Sequence, residues 1–91
     1  MHTVELLEEA LRAAGALGYK VRQEWLAGGG GGECELKGRK HLFIDLSLSI
    51  SDQLQVALDA LDRANASRRL VLSDPLRRAL VAYQTGLGRA A

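Results

Sequence analysis

The run from Leu42 to Ile50 constrains the fold more than any other stretch. Leu42, Ile44, Leu46, Leu48 and Ile50 alternate with Phe43, Asp45, Ser47, Ser49 and Ser51, the period-two pattern of a strand that buries one face and leaves the other open. Such a strand needs partners at its edges and a layer over its apolar side. The remaining sequence has to supply both.

The layer comes first in the chain. Val4, Leu6, Leu7, Ala10, Leu11, Ala13, Ala14 and Leu17 share half a helical circumference, with Glu5, Glu8, Glu9 and Arg12 opposite. This predicts an amphipathic helix over 4–16, capped by Thr3 and stopped by Gly15 and Gly18. From Tyr19 the period changes to two. Tyr19, Val21 and Trp25 fall on one face and Lys20, Arg22, Glu24 and Leu26 on the other, with Gln23 as the polar exception. Cys34 and Leu36 alternate with Glu33, Glu35 and Lys37, which predicts a second strand before a turn at Lys37-Gly38-Arg39-Lys40.

Three consecutive strands predict an antiparallel meander. Placing Cys34 and Leu36 on the core face pairs Leu36 with Leu42 and Cys34 with Ile44, joined by a three-residue bulged loop around Arg39. After the strand, Ser51 is the expected cap of a helix reaching residue 64. Leu70-Val71-Leu72 reads as an extended segment and a candidate fourth strand at 69–72. Asp74-Pro75 then starts a third helix that Gly86 and Gly88 end. The expected fold class is α+β, a three-stranded antiparallel meander covered by helices, in the order α-β-β-β-α-(short β)-α. The core face of the sheet lies under the first two helices.

Ninety-one residues make one small α+β domain over 1–91, able to bury roughly 60–70% of its unfolded surface. The formal net charge is +1, so the whole chain has no bias toward nucleic acid or an anionic membrane. One cysteine forms no intrachain disulfide, and Glu5, Glu8 and Glu9 stand where a signal peptide is basic, so a cytoplasmic protein is expected. No membrane association, cofactor fingerprint or metal-ligand set is read from the sequence.

The run Gly28, Gly29, Gly30, Gly31 and Gly32 could form an anion nest of backbone N–H groups. It leads into a strand rather than a helix and lacks a Gly-Lys-Ser/Thr motif, so a flexible hairpin loop, enlarged by GC-rich coding, is the preferred reading. Cys34, His41 and Asp45 suggest a nucleophile, base and orienter. The expected register separates them by sending Cys34 into the core, and no catalytic residue is assigned. Lys37, Arg39, Lys40 and His41 form a basic hairpin tip, with Arg68 and Arg69 as a separate pair and Arg77 and Arg78 as another. In element order the chain resembles the double-stranded-RNA-binding domain, which implies phosphate contacts from a lysine-rich start of the second helix. That segment here is Ser51-Asp52-Gln53-Leu54, with Asp59 and Asp62 following.

Phe43 and Leu26 lie among mixed charges on the strand face away from the predicted core. The expected function is a non-enzymatic protein-interaction module. It acts through homodimerisation or through a partner protein, on the open sheet face or a strand edge, with Phe43, Leu26, Arg22 and Glu35 as contacts. The alternatives are nucleic-acid binding through Lys37, Arg39, Lys40, His41, Arg68 and Arg69, and an anion or small-ligand site at the Gly28–Gly32 loop. Cover of Phe43 by the third helix is the competing structural explanation.

Overall fold

A computed structural model describes residues 2–86. Helix α1 (Thr3–Ala16) precedes strands β1 (Lys20–Glu24), β2 (Gly31–Leu36) and β3 (Arg39–Asp45). Helices α2 (Ile50–Arg63), α3 (Ala66–Arg69) and α4 (Asp74–Thr85) follow. The fold is a small α+β domain, but its sheet is mixed. The strand order is β1-β3-β2, with β1 parallel to β3 and β2 antiparallel to it. The meander expectation fails because the glycine run is not a hairpin loop. It carries the chain over the end of β3, so that β3 returns between the two earlier strands. With that, the meander behind the RNA-binding-domain resemblance is lost.

The β2–β3 turn corrects the register. Leu36 pairs with Arg39, Cys34 with His41 and Glu33 with Leu42. Only Lys37 and Gly38 lie in the loop, both at positive φ (50° and 77°), the backbone of a two-residue type I′ turn whose twist matches that of the strands. A two-residue loop reverses the parity of a three-residue one, so Cys34 moves from the core face to the face of His41, Phe43 and Asp45.

β3 also ends earlier than its alternation suggests. The Leu48 N–H donates to the Asp45 carbonyl at 3.1 Å, closing a turn. Ser49, rather than Ser51, caps α2 by accepting from the Asp52 N–H at 3.1 Å. Leu46 and Ile50 are left exposed. At α1 the cap is His2 rather than Thr3, and the Glu5 carboxylate accepts from the His2 N–H.

The core lies between the even-numbered face of β3 and the helices. Leu42 and Ile44 have no exposed surface and pack with Leu7, Ala10, Leu58 and Leu61 of α1 and α2. α4 rests on α2 and α1. Its start is tied to α1 where the Ser73 N–H and hydroxyl both donate to Glu9, at 3.0 and 2.5 Å, and Ser73 caps the helix ahead of Asp74-Pro75. The expected strand at 69–72 is absent. Its first residue ends the short helix α3, and the extended remainder buries Leu72 and exposes Val71 without joining the sheet. Gly86 ends α4 in the left-handed conformation, whereas Gly88 lies outside the described residues. No helix among the described residues is long and apolar enough to cross a membrane.

Candidate functional site

The helices occupy one face of the sheet. The other face carries Lys20, Arg22 and Glu24 from β1, His41, Phe43 and Asp45 from β3, and Cys34 from β2, as the pairing register requires. α4 packs on the helical layer, so among the described elements none is shown packed over Phe43. The third helix therefore does not account for it. Phe43 is instead half-covered by its neighbours. The His41 ring stacks on it with centroids 5.9 Å apart and planes 15° from parallel, and the Arg22 guanidinium lies 6.0 Å from its centroid. Phe43, Leu26, Gly29, Gly32 and Cys34 border a shallow recess of about 470 Å³.

Asp45, at the end of this face, organises the glycine loop. Its side chain has no exposed surface, yet it is fully satisfied. One carboxylate oxygen accepts from the Leu26 N–H (3.0 Å), the Ser47 N–H (2.9 Å) and the Ser47 hydroxyl (2.6 Å), and the other from the Gly30 N–H (3.1 Å). The Gly28 N–H donates to Ser47 Oγ at 2.8 Å, and the Gly29 N–H to the Leu26 carbonyl at 2.9 Å. Burial pushes the Asp45 carboxyl up. Hydrogen bonds from Ser47, Gly30 and Leu26 more than offset it and hold the group well below the usual carboxylate range.

Two N–H groups of this connection, those of Leu26 and Gly30, do meet an anion, but the anion is a side chain of the protein. Gly31 is required for a further reason: with φ at +73°, a Cβ there would lie 2.2 Å from the Phe43 carbonyl oxygen. The expectation of a hairpin loop is thereby corrected: the run joins two strands that do not pair with each other.

The register brings Cys34 and His41 directly across from each other, which removes the argument that separated them. Asp45 does not complete a triad, because its oxygens are occupied by the loop four residues along the strand. His41 Nδ1 lies 3.2 Å from the Arg39 carbonyl oxygen. A carbonyl only accepts, so Nδ1 is the donor in this contact. Among the described residues, no group of three or more His, Cys, Asp or Glu side chains could hold a metal ion.

Of the four expected contact residues, Arg22, Leu26 and Phe43 come together. Glu35 falls on the opposite face by parity, exposed at the β2 edge. Of the basic residues, Lys37, Arg39 and Lys40 are exposed at the hairpin tip, while His41 is buried under its stack. Lys40 Nζ lies 5.8 Å from the Tyr19 ring centroid, and the charges of Arg63 and Arg69 also act on that phenol. Tyr19 is buried and its hydroxyl donates to Glu33 at 2.5 Å. Burial first, then the Glu33 hydrogen bond and charge, push Tyr19 up to about 12. Asp45 and Ser47 were missed as the loop's anchor. Their signal was an acidic residue ending a buried strand, with a serine two residues on and five glycines before.

Comparison of the chain with protein-family models, with curated proteins and with solved structures gives no match.

Proposed function

We propose that the protein is a non-enzymatic protein-interaction module whose contact surface is the open sheet face around Phe43. One observation carries this reading: an aromatic side chain, flanked by Arg22, His41 and Leu26, borders a recess on a sheet face over which no helix packs among the described residues. Aromatic and arginine side chains supply most of the energy at protein interfaces. The loop pinned to Asp45 holds one wall of the recess in place, which lowers the ordering cost of association. The test is quantitative affinity purification with the wild type and Phe43→Glu, after both are shown to have the same far-ultraviolet circular dichroism. A partner enriched by the wild type and lost with the variant supports the reading. Identical partner sets from two folded proteins sink it.

A second reading, nucleic-acid binding, draws on the exposed Lys37, Arg39 and Lys40 of the hairpin tip and the exposed pair Arg68 and Arg69. Against it, Tyr19 is buried and offers no ring to stack a base. It predicts binding to single- or double-stranded RNA that weakens steeply with salt and whose salt slope falls by about 1 on Lys40→Ala.

A further inference from the structure

β1 has β3 on one side and, among the described residues, no strand on the other. The Leu46 N–H donates to the Glu24 carbonyl at 2.9 Å, in register with the Glu24–Asp45 pair. In a parallel ladder this turns the backbone groups of Lys20, Arg22 and Glu24 toward β3, and those of Val21, Gln23 and Trp25 outward. The free edge thus reads Val21-Arg22-Gln23-Glu24-Trp25. We propose that this edge pairs with the same edge of a second copy of the chain, antiparallel about a two-fold axis at Gln23, to give a continuous six-stranded sheet.

The edge is complementary to itself residue by residue. With the axis at Gln23, Arg22 faces Glu24 of the second copy, Val21 faces its Trp25, and Gln23 faces its Gln23. Each contact occurs twice except the central one. The outward backbone groups of Val21, Gln23 and Trp25 then meet outward groups, as an antiparallel ladder requires. The registers that keep side chains on their faces differ by one step of the axis. An axis at Arg22 opposes two arginines, and an axis at Glu24 opposes two glutamates and sets Trp25 against Gln23. Like charges directly opposite are destabilising, while aromatic–β-branched and acid–base pairs stabilise. Of these three, only the axis at Gln23 is self-complementary.

The surroundings fit the same occupant. Trp25 is 72% exposed, far more than a tryptophan with a packing role in the monomer. Arg22 Nε lies 2.7 Å from Glu24 Oε2, so the two charges are already aligned on one face. Gln23 also lines a cleft of about 590 Å³ in which Val4, Leu46 and Ile50 lie beside the charged Glu8 and Arg12. Val4, Leu46 and Ile50 are exposed apolar residues there, adding apolar surface beside the edge toward the area that a specific interface buries.

This dimer goes beyond the open-face reading: Arg22 is common to both, but Phe43 takes no part in the edge pairing, and Gln23 and Trp25 take none in the Phe43 surface. Sedimentation of the full chain over about a hundred-fold range of concentration tests it. The wild type is expected to rise from 9.8 kDa toward twice that mass. Glu24→Arg should raise the dimer dissociation constant at least about tenfold, and the charge-swapped double variant Arg22→Glu/Glu24→Arg should return it to within about threefold of wild type. Should a charge variant fold poorly, Gln23→Cys in a Cys34→Ser background gives a second measurement. Mild oxidation should join two chains at the two-fold axis, where the backbone separation suits a disulfide. A wild type that stays at 9.8 kDa throughout overturns the proposal. So does a dimer broken by Phe43→Glu but indifferent to Glu24→Arg, an outcome that leaves the open-face reading standing.

Discussion

The two faces of β3 are held by different physics, although they alternate along one strand of seven residues. On the even side Leu42 and Ile44 are buried among aliphatic side chains, where the driving force is non-directional and proportional to apolar area. On the odd side Asp45 is buried among hydrogen-bond donors, three of them main-chain N–H groups at fixed places in the loop and the turn. The first kind of burial tolerates another side chain of similar volume. The second tolerates almost nothing, because a group of the right size with the wrong donors or charge leaves buried partners unsatisfied. One face of the strand therefore makes the core, and the other sets the path of the chain into β2.

The sharpest way to break this comparison is at Gly31, where loop and strand meet. Gly31→Ala should lower stability by on the order of 4 kcal/mol, because backbone has to move to admit the methyl group; a loss under about 1 kcal/mol in chemical denaturation would mean that the crossing is loose. Next is a matched pair. Asp45→Asn should lower Tm by on the order of 10 °C, whereas Leu42→Met should cost less than about 1.5 kcal/mol. Similar losses from the two would remove the distinction between the faces.

The Asp45 carboxyl sits below its ordinary 3.8 in the folded protein. Its contribution is therefore full above the unfolded value and is lost as pH falls through the folded one. Thermal melts between pH 5 and pH 2 should show a shallower acid limb in Asp45→Asn than in the wild type. At the alkaline end the sign reverses. Tyr19 is raised from 10.0 to about 12, so its contribution is full below 10 and disappears as pH climbs through 12. Glu33→Gln should bring the phenol absorbance titration back toward its ordinary range. The smallest effect belongs to the register. Cys34, half-buried on the open face, should react with a thiol reagent in the native protein without prior unfolding, and Cys34→Ser should cost less than about 1.5 kcal/mol. A thiol that reacts only at the rate of global unfolding would put Cys34 back in the core.

Much of the helical layer was legible because its signals are local. The amphipathic stripe of α1, Asp74-Pro75 at the start of α4 and the glycine after Thr85 each act within a turn of the backbone they organise, although the cap itself is Ser73 rather than Asp74. Alternation in β3 was legible for the same reason, and it put Phe43 and Asp45 on the open face. Alternation could not say where the strand stops. Leu46, Leu48 and Ile50 continue the pattern while the chain has already turned at Asp45 and been capped at Ser49. The register of β2 was misread because Cys34 and Leu36 look like core residues, while Glu33 does not. A buried phenol from before β1 makes Glu33 acceptable on the core side. No pattern within β2 contains that partner.

The sequence by itself determined the main elements: three of the helices, the three strands, and the apolar sides of α1 and β3. Tertiary structure decided how the strands are ordered and which groups share a face. Periodicity is a property of neighbours a few residues apart, whereas strand order depends on a carboxylate at residue 45 meeting the N–H groups of residues 26 and 30 across the sheet's end. That contact turns five glycines from a loop of arbitrary length into a fixed crossing. It leaves β1 at the edge, with Val21, Gln23 and Trp25 facing outward.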